Sequence, residues 1–267
     1  METKEFLENA VATLKKLDDF NESLVRGTAL AQTMRTLRET CFLGNYMRAI
    51  ANAKTLLKLD SVRDTQAIAM IARSIFELAI EIELIDRIPD SAEKIIAFGE
   101  YEHLRRARKI VAYANRNPSH SPHLDDPQLQ SFIDQQGARI EAARDRLWPD
   151  KKLSLDHWTQ MKLGRRAEHI GGPINGIFQT EYQSHSWYAH AGLTGVMDTN
   201  EEFYWVTNGF SYGLASDSYH LILKSIIQVF EIHAIDRKIL KKLEYSKNVS
   251  ILRDEQQAKE YWDYLMQ

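Results

Sequence analysis

The stretch EYQSHSWYAHAG, from Glu181 to Gly192, brings two histidines, two tyrosines, a tryptophan and two serines together. If Thr180 to Ala191 is helical, Tyr182, Ser186 and His190 fall at successive steps of four and stack along one side. Gln183 lies seven residues before His190 on that side, and Glu181 with His185 forms an i, i+4 pair on the neighbouring stripe. Gly192 stands where a C′ glycine would end such a helix. A histidine near a helix C-terminus is readily tuned across neutral pH. In an RNA-cleaving site it can take a 2′-hydroxyl proton while a nearby cation stabilises the phosphorane. The same ladder can equally form a satisfied network, its hydroxyls and imidazole bonding carboxylates such as Glu77 on a facing helix.

Other groups carry weaker chemistry. Arg73, Glu77 and Glu81 are spaced four apart, so they share one side of a helix. A dinuclear carboxylate centre in a helical bundle needs a Glu from each of two helices and a Glu-x-x-His from each of two others. Only Glu100-Tyr-Glu-His103 fits that pattern. The expectation is therefore an Arg73–Glu77 ion pair with Glu81 solvated or paired across the bundle, with no metal and no cofactor. His120 and His123 have ligand-capable spacing, but they lie in a proline-rich loop without a four-ligand set. GGPING, Gly171 to Gly176, has neither a preceding strand nor a Gly-Lys-Ser/Thr, and reads as a helix-breaking turn. The nucleophile-elbow, zincin and kinase signatures are missing.

The elements that must position these residues are helices. Ile68, Ile71, Ile75, Leu78, Ile82 and Ile85 recur at steps of three and four between Ser61, a plausible N-cap, and Pro89, which stops the pattern. Asp90 or Ser91 can cap the next long helix, through about Asn115 and antiparallel to the first. Residues 3 to 18 and roughly 22 to 58 also read as helices, with Gly44 as a bend in the second. Pro118, Pro122 and Pro127 mark a loop, and a helix from about Gln128 to Leu147 ends at Trp148-Pro149-Asp150. Lys151 to Asn208 reads as shorter elements, helix resumes from Phe210 to Leu243, and Asp254 to Gln267 forms an amphipathic helix that could dock or dimerise. The partition is a single all-α domain, a bundle of long antiparallel helices with an irregular insert: N-terminal helices over 1–60, central helices over 61–147, a loop-rich insert with the polar helix over 148–208, and C-terminal helices over 209–267.

Composition agrees with an ordered globular chain: 267 residues, 44% hydrophobic and 27% charged, with 6 prolines and 12 glycines. A net charge of −3 provides no global positive field, so any RNA site has to be local. The single cysteine, Cys41, excludes an internal disulfide and reads as a small buried hydrophobe in a reducing compartment. METKEFLENA lacks the apolar core of a signal peptide, and no apolar run reaches the roughly 18 residues of a membrane span. A cytoplasmic protein with no membrane partner is expected.

Three blocks then carry a resemblance: ARSIFELAIEIELI at 72–85, HWTQMKLGRRAEHIGG at 157–172 and EYQSHSWYAHAGLTG at 181–195. In that order they resemble a family of bacterial all-helical proteins of unassigned function. Its last block is similar to the HEPN ribonuclease motif, an arginine followed after four to six residues by a histidine. HEPN-like proteins are helical, often dimeric, and frequent in toxin and antiphage defence systems. Residue by residue, Tyr182, Ser186 and His190 match, whereas Gln183 stands where the arginine would be. A neutral amide cannot supply the charge that stabilises a phosphorane. Arg165 or Arg166, from the preceding helix, is the expected replacement. Arg116 and His123 meet the bare spacing, but Pro118 and Pro122 intervene.

The resemblance implies a homodimer acting in stress or defence by metal-independent RNA cleavage or RNA binding. His190 would be the general base, Tyr182, Ser186 and Gln183 would share its face, and Arg73, Glu77, Arg165, Arg166 and His185 would support it. The rival expectation is a non-catalytic interaction module, meeting a protein partner of the same defence or toxin–antitoxin system, in which these residues form a core network.

Overall fold

A computed structural model describes residues 3–27, 35–59, 64–117, 127–150, 156–183 and 201–230, together with 241, 243 and 244. The described residues are helical, with no strand among them: α1 (Thr3–Gly27), α2 (Leu37–Leu56), α3 (Thr65–Arg87), α4 (Ser91–Arg116), α5 (Pro127–Leu147), α6 (Leu163–Ile170), α7 (Gly172–Ile177), a π-turn (Phe178–Tyr182) and α8 (Glu201–Val229). They form two compact units, one of residues 1–87 with 163–267, the other of residues 88–162.

In the first unit the isoleucine seam of α3 goes inside. Ile68, Ile75, Leu78, Ile82 and Ile85 are buried, together with Phe76 and Ile80. Complete burial of each such side chain contributes about 1.5–3 kcal/mol. Helices α2, α6 and α8 pack on α3, and α8 also packs on α1. Leu14, Leu17, Phe20 and Leu24 form the inner stripe of α1.

Helix α8 is buried nearly all round, and its small residues allow close approach. Ser211, Ser216, Ser218 and Ser225 are buried, and each bonds back to the carbonyl four residues earlier, at 2.6–3.0 Å. A hydroxyl satisfied by its own helix can be buried without an outside partner. The Tyr212 hydroxyl lies 2.8 Å from the carbonyl oxygen of Leu56 and 2.6 Å from that of Leu59, and so closes the C-terminal end of α2.

Several boundaries differ from those expected. Helix α1 continues past residue 18 to Gly27. Helix α2 starts only at Leu37, behind a capping box in which Glu39 N donates to Thr36 Oγ1 at 3.2 Å and Thr36 N to Glu39 Oε2 at 2.7 Å. Two orphan amides are thereby satisfied, and that decides the start. Gly44 lies inside α2 without ending it. Helix α8 opens at Glu201, inside the segment expected to be irregular, and Cys41 is only half buried. Asp90 is the N-cap of α4, although its side chain makes no capping bond. Ser61, the loop with His120 and His123, and the segment from Asp254 lie outside the described residues.

The second unit is the α4–α5 pair and the segment after it. Arg108–Glu141 at 2.6 Å, Arg139–Glu100 at 2.9 Å and Arg146–Glu93 at 2.5 Å join the two helices. Trp148 Nε1 donates to the Trp158 carbonyl at 2.9 Å, and both indoles are buried.

Candidate functional site

Arg73, Glu77 and Glu81 form one polar row on α3, beside the apolar seam. The elements opposite are α6, which supplies Arg166, and the π-turn, which supplies Tyr182 and is joined to α6 through α7. Helix α6 ends where Gly171 takes φ +70°, with Gly172 at φ +52°, conformations that disfavour a Cβ. Gly171 N returns to the Ala167 carbonyl at 2.9 Å, and Arg87 Nη1 donates to the Ile170 carbonyl at 2.7 Å. Pro173 then sits in the first turn of α7, where its missing N–H costs nothing. The expected turn over GGPING is confined to Gly171, which breaks the chain between helices, whereas Gly172 to Gly176 are helical and make up most of α7. The π-turn continues from α7 and carries Tyr182 to the α3 row.

Tyr182 is buried, 5% exposed. Its hydroxyl donates to Glu77 Oε1 at 2.6 Å and accepts from Arg73 Nη2 at 2.7 Å. The Arg73 guanidinium also lies 4.8 Å from the centre of the Tyr182 ring. Phe76 and Phe178 flank that ring at 5.1 and 5.4 Å. The direct Arg73–Glu77 separation is 3.8 Å, so the phenol bridges the pair. Arg73 is the shielded end and Glu77 the wet one, with side-chain exposures of 16% and 45%.

This setting fixes what the phenol can do. Burial above all, and then the hydrogen bond to Glu77, push its pKa up to about 12, although Arg73 pulls the other way. At neutral pH Tyr182 is therefore a protonated donor and positioner, and cannot serve as a base. One turn along α3, Glu81 accepts from Arg166 Nη1, in a pair with both side chains largely buried. Arg165 turns outward to Glu168 at 2.7 Å. Gln183 is exposed.

Of the residues named from sequence, the structure brings Arg73, Glu77 and Tyr182 into contact and sets Arg166 against Glu81. The ion-pair reading of the α3 row holds, with Glu81 paired across helices. Ser186, His185 and His190 lie outside the described residues. The guanidinium at Tyr182 belongs to Arg73, and the expected approach of Arg165 or Arg166 to His190 lies outside the described residues. Sequence reasoning missed the aromatic walls around the phenol, although the i, i+4 spacing of Phe178 and Tyr182 was a visible signal. Among the described residues no group of three or more His, Cys, Asp or Glu side chains is arranged to hold a metal ion. No described helix is long and apolar enough to cross a membrane.

Fold and site together define an all-helical protein with an aromatic-walled Arg–Tyr–Glu bridge between α3 and the π-turn. The pattern of a family of unknown function, DUF5677, matches residues 39–204, more than half of the chain, and the protein belongs to that family. All three blocks that carried the resemblance fall inside the matched interval. No curated protein and no solved structure gives a significant match.

Proposed function

We propose that the protein is a HEPN-like helical bundle that binds RNA, and cleaves it without a metal, as a homodimeric cytoplasmic effector of bacterial stress or antiphage defence. One observation carries this reading: the Arg73 guanidinium is fixed on the Tyr182 hydroxyl at 2.7 Å. That places a shielded cation at the head of the sequence ladder Tyr182, Ser186, His190, where Gln183 provides none. Arg73 acts as a positioning cation for a phosphate of the bound strand. The imidazole would take the 2′-hydroxyl proton.

A second reading is a non-catalytic interaction module of a defence or toxin–antitoxin system. It is favoured by the way Arg73, Tyr182 and Glu77 satisfy one another, as a structural network does. Incubation of a single-stranded RNA with wild type and His190→Ala in the presence of EDTA separates the two. The catalytic reading expects cleavage by wild type and a loss of about 100-fold or more in the variant at unchanged melting temperature. Equal cleavage by the two, or none by either, would sink the catalytic reading.

A further inference from the structure

Although the chain carries a net charge of −3, α4 holds a local basic run in its second half. From His103 to Arg116 the sequence HLRRARKIVAYANR holds Arg105, Arg106, Arg108, Lys109 and Arg116 without one Asp or Glu. Residues 101, 105, 108 and 112 follow one stripe of that helix, with Lys109 beside them. Tyr101, Arg105, Arg108, Lys109 and Ala112 line a hollow of about 260 Å³.

The charges in the hollow are only partly balanced. Arg105 pairs with Glu102 at 2.8 Å and Arg108 with Glu141 at 2.6 Å. Lys109 makes no ion pair among the described residues, although it stands four residues from Arg105, where like charges on a helix repel. The Arg144 guanidinium, paired with Asp145 at 2.9 Å, lies 5.5 Å from the Tyr101 ring centre. An unbalanced cation, two guanidiniums and an aromatic ring around one hollow are the parts that hold a phosphate and stack a base.

We propose that the hollow lined by Tyr101, Arg105, Arg108, Lys109 and Ala112 is a nucleotide-binding pocket, which takes a phosphate on its cations and a base against Tyr101. Arg105 and Arg108, already aimed by their carboxylate partners, provide fixed donors, and Lys109 provides the uncompensated charge. The choice of single-stranded RNA over a free nucleotide rests on the RNA reading above; the pocket itself does not.

The test is fluorescence anisotropy of a short labelled single-stranded RNA on the full chain in EDTA, with adenosine monophosphate titrated in a second arm. Lys109→Glu, at an exposed position without an ion-pair partner among the described residues, is expected to weaken RNA binding about tenfold and to flatten the dependence of log K on log salt by about 0.7. Tyr101→Leu is expected to weaken binding by about tenfold with little change in that slope. Tight binding of adenosine monophosphate with the same losses, in place of RNA, would support the pocket and identify its ligand as a free nucleotide. Wild-type binding of neither probe would overturn the proposal, as would variants that keep their helical circular dichroism and bind as tightly as wild type. His190→Ala alters none of the lining residues named here, so RNA that is bound but never cleaved counts against the catalytic reading alone.

Discussion

Tyr182 donates its phenolic hydrogen to Glu77 at 2.6 Å while accepting one from Arg73, so a single oxygen links a guanidinium and a carboxylate that share one helix face. The arrangement is directional. A phenylalanine would keep the ring and its aromatic neighbours but remove both bonds. Tyr182→Phe is expected to lower stability by about 1.5–3 kcal/mol, the usual range for hydrogen bonds to charged groups. A double-mutant cycle with Glu77→Ala, followed by urea unfolding, should show coupling of about 1 kcal/mol. Strict additivity would mean that water replaces the bond at no loss.

The same phenol gives an alkaline signature. Its folded-state pKa of about 12 lies above the ordinary value near 10, so the native state holds the proton more firmly than the unfolded chain does. The stabilisation is therefore complete below pH 10 and is lost as pH rises through about 12. Burial also raises Tyr46 and Tyr219, so wild type and variant both weaken in alkali. The difference between wild type and Tyr182→Phe isolates residue 182, and it should shrink between pH 10 and 12. A difference that stays constant through that window would show that the hydroxyl's proton does not matter to stability.

Asp18 is a carboxylate that burial, above all, holds above its usual pKa, although Lys54 opposes the shift. Its Oδ1 is buried without a hydrogen-bond partner among the described residues. Because the folded-state value is raised, the ionised form weighs against the fold at neutral pH, and its contribution turns favourable only in acid. Asp18→Asn should therefore melt above wild type at pH 7. The two curves should converge as pH falls below the ordinary aspartate value of 3.8. A lower melting point for the variant at pH 7 would show that the charge is used, with Lys54 as its partner.

Gly209 on α8 faces Phe6 of α1. A Cβ there would meet the Phe6 Cδ1 and Cε1 atoms at 2.5 and 2.6 Å, closer than real contacts allow. Alanine normally favours a helix by about 1 kcal/mol over glycine, yet overpacking costs about 1–3 kcal/mol. The clash should win, and Gly209→Ala should lower the melting temperature. With Phe6→Ala in the background the sign should reverse, because only helix propensity remains. Thermal melts of the four proteins decide it. A Gly209→Ala variant more stable than wild type would mean that the Phe6 ring swings aside freely.

The periodic parts of the fold were readable because burial leaves a direct trace in sequence. The isoleucine seam of α3 and the stop at Pro89 are examples, and α5 ends at Leu147 as its pattern implies. The start of α2 was readable too, since Thr36-Leu-Arg-Glu39 is a capping box, but apolar spacing on both sides of it suggested one continuous helix. Burial alone does not report a cap. At the site, a bond between Tyr182 and Glu77 follows from their types, whereas the identity of the cation does not. Arg165 is taken by Glu168 within its own helix, and Arg166 faces inward, where Glu81 meets it. Which of several arginines reaches a phenol depends on the rotation of a short helix, and a π-turn next to it adds a phase shift that period counting cannot register.

That π-turn has a consequence for chain length. An i→i+5 turn holds one residue more than an α-turn, so Phe178–Tyr182 behaves as an insertion absorbed by the backbone. Removing a residue elsewhere in these helices would turn everything downstream by about 100° and exchange buried faces for wet ones. Removing Gln179 or Thr180, both exposed, would instead let the turn relax to ordinary helix with its flanks nearly in place. The segment that carries Tyr182 to its partners is thus the one position in α7 and its extension where the chain has a residue to spare.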